Sequence, residues 1–469
     1  LGADRAQLMK QFIGESIIIT IISAVLALVL LELFLPEVSS IIDRPLQIGW
    51  NNAFELILMI SAVTLLVGII SGCYPAFFIS AFNPSQLFGK FTGKSYSILS
   101  ITKYLVLLQF TVSTILIIST IVISQQMEYI RNKKLGFEKE NIVVVPLKES
   151  STKKQYETFK ELLSGNSSII SSTASSVLPG DVKSYTSVEW QGSGYDKTMD
   201  FIYADYDFAK TFKIELVKGR DFSKQYGNDF KGSYILNEAA AKKIGWKNPV
   251  GQEFNSCTLN KGSVIGIAKD FNYKDLHNKI EPLFIAVNPN NPEYLSIRMN
   301  TANIPATLNF IEKEWKTLFP SSPFEYYSFD GHLDKLYKSE MKLAVVFKCF
   351  TSLAILISCL GLFGLSSVAA KKRSKEIVIR KVMGASILNV FYSLTKEFII
   401  LSIVSVIIAA PAALYLLTKW LQNFAYKTNL SAWTIIIVAF SLLVLSMLSV
   451  GFQAVKAAVA NPVDSLRNE

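Results

Sequence analysis

Histidine is almost missing from this chain, with two residues in 469, His277 and His332. No His-Glu-x-x-His, no cysteine pair at metal-ligand spacing and no Gly-x-Ser-x-Gly occurs. Zinc hydrolysis, thiolate metal binding and serine-hydrolase chemistry thus lack their residue sets. No catalytic residue, cofactor or metal is expected, and the chain reads as not an enzyme. Asp270, His277 and Glu281 are the nearest approach to a polar constellation, and scattered loop residues account for them more simply. Cysteine is scarce too. Of four, Cys73, Cys349 and Cys359 lie in apolar stretches, so the polar region around Cys257 has no internal disulfide. Charge is missing from the centres of the apolar stretches. Glu32, Glu55 and Lys348 sit near their ends, where a side chain reaches the headgroups. Ion-coupled transporters keep acids at those centres, so energy for any work should come from outside the membrane part.

What is present is hydrophobicity. Half the residues are hydrophobic and the mean hydropathy is +0.34. Six stretches, 17–35, 54–80, 104–124, 343–370, 398–417 and 433–452, approach or exceed the roughly 20 apolar residues that cross a bilayer. The net charge of +10 is not spread as a nucleic-acid footprint, and no nucleic acid is expected as partner. It concentrates in 371–396, with seven bases against Glu376, and in 81–103, with Lys90, Lys94 and Lys103 and no acid. The loop 36–52 has Glu37 and Asp43 against Arg44. The positive-inside rule puts the first two in the cytoplasm and the third outside. Alternation then puts 125–341 outside and the C-terminal tail inside.

The chain also repeats itself. Gly2-Ala3 recurs as Gly384-Ala385, Glu15 as Glu397, and Asn83-Pro84 as Asn461-Pro462, with thirteen positions from Gly to Glu in both copies. Two apolar stretches follow the Glu each time, which points to a duplicated membrane module. The second copy is preceded by a span and a basic run. The first starts at Leu1, so the chain is expected to be truncated at its N-terminus.

The expected organisation is a first module, 1–88, with two spans; a cytoplasmic linker, 89–103; a span, 104–124; an outer domain, 125–341; and a second module, 342–469, with three spans. A polar helix over 4–12 leads into the first span, and Pro36 should stop it. Gly68 and Gly72 suit close helix packing, and Pro75 should kink the second span. The third span should continue as a polar helix to Gly136. In the outer domain, strands are expected at 141–145 and 168–172 around a helix at 153–163, and at 294–299 and 324–329 around a helix at 302–318. These two β-α-β units should flank an inserted lobe, 178–292, with strands at 201–203, 234–236 and 264–267 and a helix at 237–244. From about Leu333 the chain should be helical into the fourth span. Helices entering and leaving the outer domain would then be continuous with membrane helices, either to carry motion or simply to prop the domain.

Two motifs carry the functional reading. Gly89-Lys-Phe-Thr-Gly-Lys-Ser95 imitates a phosphate-binding loop, but the required first Gly falls on Phe88 and no buried strand precedes it. ATP should therefore be hydrolysed elsewhere. The run Lys371–Ser386 is more informative. Ile377, Arg380, Lys381 and Gly384 fall at helical spacing, so a short cytoplasmic helix would present Ile377 and Val378 with a fork of Arg380 and Lys381. That suits docking into a groove on an acidic partner. Plain topogenic charge explains the lysines, but not why Gly-Ala with a Glu thirteen residues on appears twice.

These residues resemble the permease subunits of the macrolide-exporter (MacB-like) and FtsX-like class of ABC transporters. Glu376-Ile-Val-Ile-Arg-Lys-Val-Met-Gly-Ala385 is similar to that class's coupling-helix signature. Lys134-Leu-Gly-Phe137, Gly219-Arg-Asp-Phe222 and Gly266-Ile-Ala-Lys-Asp-Phe271 resemble its extracytoplasmic core domain, and Asn461-Pro-Val-Asp-Ser-Leu466 its tail, with a first copy at Asn83-Pro-Ser-Gln-Leu87. The resemblance implies a polytopic α-helical protein of the bacterial inner membrane, with six spans here and a large α+β extracytoplasmic domain. It implies a separate cytoplasmic ABC ATPase dimer as partner, surrounding membrane lipid, and either a periplasmic adaptor or a cell-wall enzyme outside. The coupling residues would be Lys375, Glu376, Ile377, Arg380, Lys381, Gly384 and Ala385, with Gly2 and Ala3 in the first copy. The implied function is coupling of ATP hydrolysis to movement of the outer domain, for export or release of a substrate or, alternatively, for control of a cell-wall hydrolase. Members with both halves in one chain would have eight spans.

Overall fold

A computed structural model describes residues 5–42, 53–80, 96–190, 193–195, 197–227, 229–259, 261–288, 290, 292–372, 376–377, 379–380, 383 and 386–459. The chain opens with α1 (Arg5–Ile42) and α2 (Ala53–Ser80). Pro36 does not stop α1, which runs on for more than a turn beyond it. A proline removes one backbone hydrogen bond and crowds the preceding turn, and near the end of a long helix that local loss leaves the helix standing. The two helices pack closely because α2 offers glycines. A Cβ on Gly68 would lie 3.1 Å from the Ile17 Cα, and one on Gly72 would lie 3.0 Å from the Ile13 Cα, an approach only small residues allow. The next helix, α3 (Tyr96–Asn132), is continuous over 37 residues.

The outer part begins with β1 (Ile142–Pro146), a one-turn helix at Ser150–Lys154, α4 (Tyr156–Ser164) and β2 (Ile169–Ser175). Then come β3 (Tyr185–Trp190), β4 (Lys197–Ala204), α5 (Phe208–Phe212), β5 (Leu216–Gly219), β6 (Ser233–Asn237), α6 (Glu238–Ile244), β7 (Glu253–Ser256), β8 (Gly262–Ala268) and β9 (Leu283–Val287). Last are β10 (Tyr294–Met299), α7 (Ile304–Leu318), β11 (Tyr327–Ser328) and α8 (Phe329–Leu336). The segment 324–329 is not a full strand. Only two residues pair with β1, and Ser328 already caps α8 by accepting from the Gly331 N–H.

Strands β1, β2, β10 and β11 lie in the order β11-β1-β10-β2, all antiparallel. This is a β-α-β-β-α-β arrangement split by everything between β2 and β10. Side-chain alternation feeds two cores. Val143 and Val145 pack under the helices with Phe159, Leu163, Ile311 and Trp315, while Ile142 and Val144 join Phe137, Phe208, Phe271 and Phe329.

The inserted part is richer than its sequence suggests. Strands β3, β4, β9, β6, β8 and β7 pair in a closed ring, with β4–β9 and β6–β8 parallel and the rest antiparallel. Closure leaves no free edge within the ring. It is also not a separate sheet, since Ser175 of β2 pairs with Ala204 of β4. Tyr234, Phe254 and Phe284 meet edge-to-face with centroids 5.0–5.6 Å apart. Where β5 joins β8, a Cβ on Gly219 would stand 2.2 Å from the Ile265 carbonyl oxygen, and its φ of +77° also favours glycine.

The chain ends with α9 (Lys338–Lys372), α10 (Ile387–Leu421) and α11 (Ala432–Val459). Among the described residues, six helices are long and apolar enough to cross a membrane. The chain divides into two compact units. One comprises Leu1–Ile117, Val345–Ala410 and Ile436–Glu469, and the other Ile118–Ala344 and Pro411–Ile435. In the first, Val106, Phe110, Leu362, Phe398 and Val450 bring α3, α9, α10 and α11 together. The Ser113 hydroxyl meets that of Ser358 at 2.9 Å, and Thr351 donates to the Leu116 carbonyl at 3.1 Å. Hydroxyl pairs of this kind join helices where the surroundings are apolar.

Candidate functional site

Gly2, Ala3, Lys375, Lys381, Gly384 and Ala385 lie outside the described residues. Glu376, Ile377 and Arg380 are described, and all three are helical. Arg380 pairs with Glu376 one turn back at 2.5 Å, and its Nη1 donates to the Ser393 hydroxyl at 3.4 Å. Both charged side chains are half exposed, so the pair adds at most about 0.5 kcal/mol and leaves the guanidinium available. Ile377 does not behave as a presented residue. It is buried, at 6% exposure, while Ile379 and Met383 stand out at 62% and 83%. Helical spacing identified an apolar stripe, but not which side of it faces the protein. The repeated glutamate has a partner as well. Glu397 on α10 pairs with Lys103 on α3 at 3.0 Å, and Glu15 accepts from the Gln11 amide at 3.2 Å.

The second unit contains a junction that no sequence motif announced. The loop between α10 and α11 packs against the outer end of α3 and the segment around Leu276. Gln126 is fully buried. Its amide donates to the Tyr426 carbonyl at 2.9 Å and accepts from the Thr428 N–H at 2.8 Å. Lys133 sits 4.0 Å from the Tyr426 ring centroid, a cation–π distance. The Ala425 N–H donates to the Leu276 carbonyl at 3.2 Å, and the Leu276 N–H donates to the Tyr337 hydroxyl at 2.7 Å. Tyr337 is the residue between α8 and α9.

His277 lies at the centre. Its ring stacks on Phe424 at 4.4 Å and faces Tyr337 at 6.0 Å. Nδ1 lies 3.4 Å from Asp275 and Nε2 lies 3.5 Å from Glu340 in the first turn of α9. Hydrogen bonding to Asp275, then to Glu340, raises the imidazole pKa to about 9, so it is a cation at neutral pH. In turn, His277 holds the Asp275 carboxyl below its ordinary range. Asp270 and Glu281 are not part of this group. Asp270 accepts from the Ala239 N–H at 2.9 Å, and Glu281 pairs with Lys274 at 3.0 Å. His332 is elsewhere, stacked on Tyr327, with burial pushing its pKa down.

The other sequence motifs of the outer part are structural. Arg220 forks onto Asp229 at 2.7 and 2.8 Å, and Phe222 and Phe271 are buried in the core. No group of three or more His, Cys, Asp or Glu positioned to hold a metal occurs among the described residues.

Residues 1–84 and 348–462 match a family model described as FtsX-like permease C-terminal. No curated protein matches the chain. Among solved structures, the periplasmic region of MacB from Actinobacillus actinomycetemcomitans is similar at 14% identity, covering 44% of this chain and 97% of that one, with a TM-score of 0.32. The extracellular domain of the noncanonic ABC-type transporter YknZ from Gram-positive bacteria is similar at 14% identity, covering 39% and 97%, with a TM-score of 0.30.

Proposed function

We propose that this chain, a multi-pass protein of the bacterial inner membrane whose two membrane modules are FtsX-like permease domains, passes work done by a separate cytoplasmic ATPase dimer to its outer part. The ATPase would dock on the run around Arg380, with Lys375, Lys381, Gly384 and Ala385 beside it and Gly2-Ala3 as the equivalent point in the first copy. The exposed residues Ile379, Arg380 and Met383 offer a basic and apolar surface suited to an acidic groove. Ile377 would anchor this segment from behind.

The observation that carries the reading is the continuity of α3 and α9. Each is one helix of 37 or 35 residues, longer than the roughly 20 that span a bilayer, so a displacement at one end is delivered at the other. His277, Gln126 and Tyr337 then tie the outer ends of both helices to the α10–α11 loop, so that they would move together. The work would be spent on expelling or releasing a substrate outside the membrane.

The test is to recover the full-length protein from native membranes and identify what accompanies it, alongside an Arg380→Glu, Lys381→Glu variant. An ATPase that follows the parent and is lost with the variant supports the reading. An ATPase retained by the variant, or none at all, defeats it. With the ATPase in hand, stimulation by a substrate favours export, and capture of a wall hydrolase favours control of that enzyme.

A further inference from the structure

The second unit holds a half-open cavity of about 620 Å³ between the outer end of α3 and the α8–α9 turn, within the roughly 300–1,000 Å³ of small-molecule sites. We infer that this cavity binds a zwitterionic phospholipid of the outer leaflet, its headgroup at Glu128, Arg131 and Asp334 and part of one acyl chain among the apolar lining. The inference rests on the membrane topology and not on the ATPase reading.

Three observations lead there. The first is depth. The apolar part of α3 ends near Ser124, and Gln125, Gln126, Glu128 and Arg131 follow within two turns. A helix at that point has just left the hydrocarbon and lies among the headgroups. A cavity there is reached sideways by an amphiphile that never leaves its leaflet. The second is lining. Met127, Ile130, Leu135, Leu276, Leu333 and Met341 form its apolar wall, and methionine adapts to irregular apolar shapes, as a chain of variable unsaturation requires.

The third is charge. Lys139 and Lys274 also line the cavity, but Lys139 is paired with Asp330 at 2.7 Å, and Lys274 with Asp200 and Glu281 at 2.7 and 3.0 Å. Glu128, Arg131 and Asp334 have no ion-pair partner among the described residues. Glu128 and Arg131 are three apart on α3, hence on one face, with Asp334 on α8. A headgroup carrying both phosphate and ammonium offers each of them a counter-charge. A purely anionic headgroup would leave two carboxylates facing like charge, and a purely cationic amphiphile would leave Arg131 so.

The experiment is native mass spectrometry of the full-length protein, stripped of lipid and then equilibrated with vesicles of phosphatidylethanolamine and phosphatidylglycerol in equal parts. The parent should retain one phosphatidylethanolamine after activation removes annular lipid. Arg131→Glu, on an exposed position where folding is not at risk, should reduce that retention roughly tenfold, the scale of one charge-assisted contact. Glu128→Lys with Asp334→Lys should turn the preference to phosphatidylglycerol. Equal retention of both lipids by the parent, or a retained lipid indifferent to these changes, would overturn the assignment.

Discussion

Removing the charge of His277 should loosen the α10–α11 loop, and the size of the effect follows from the geometry. An imidazole raised from about 6.5 to about 9 corresponds to about 3 kcal/mol of preferential binding of the protonated form. Contacts of 3.4 and 3.5 Å to Asp275 and Glu340 are long for charged pairs, and the ring is 28% exposed, so about 2 kcal/mol is the working figure. The group's folded pKa is raised, so this contribution is complete below about pH 6.5 and lost as pH rises through about 9. Asp275 is shifted down, so its share is present at neutral pH and lost as acid protonates it. The readout is hydrogen exchange at the Ala425 amide, which donates to the Leu276 carbonyl. At pH 7, about half a unit above the free imidazole value, part of this contribution is already gone, so His277→Phe should speed exchange roughly tenfold relative to the parent, and the difference should vanish by about pH 10. The phenyl ring keeps a surface for Phe424, so the loss reports the charge. Parent-like exchange in His277→Phe at pH 7, or a difference that persists at pH 10, would refute the electrostatic account.

Gln126→Leu should remove both side-chain bonds to the half-buried Tyr426 carbonyl and Thr428 N–H of the same loop, at about 1 kcal/mol each, read as new proteolytic cleavage near residues 421–431; an uncut loop contradicts it. Gly219→Ala forces a Cβ to within 2.2 Å of a carbonyl oxygen and should cost about 3 kcal/mol or more, read as a lower melting temperature; an unchanged melt would show that β5 can shift. Ile377→Asp should lower stability by about 3 kcal/mol as a buried unpaired charge. Ile379→Asp should leave the melt unchanged and weaken ATPase recovery. Equal melts for these two variants would contradict the assigned burial.

Much of the membrane part was legible because long apolar runs need no partner to be recognised. The outer part was legible where periodicity was strong. Tyr294–Met299 has the expected bounds, and 201–203, 234–236 and 264–267 all fall inside strands. Leu283–Val287 was missed although an unbroken apolar run after Pro282 was its signal. Leu216–Gly219 and Glu253–Ser256 are four residues each, with little local preference, and are strands only because β8 and β3 pair with them. The His277 junction had no signature to find. Its members, Gln126, Asp275, Tyr337, Glu340 and Phe424, come from distant segments that only the folded chain gathers. The burial of Ile377 escaped for a similar reason, since a helical stripe does not say which neighbour covers it.

Nucleotide events below the membrane should be felt at the His277 junction. This is read most directly by hydrogen exchange across 421–430 and 272–278 in the full-length protein together with the proposed ATPase, with and without a trapped nucleotide. A change in protection that depends on nucleotide in the parent, and is absent from Arg380→Glu, Lys381→Glu, is the predicted result. Protection indifferent to nucleotide in the parent, or equally responsive in the variant, would contradict the account.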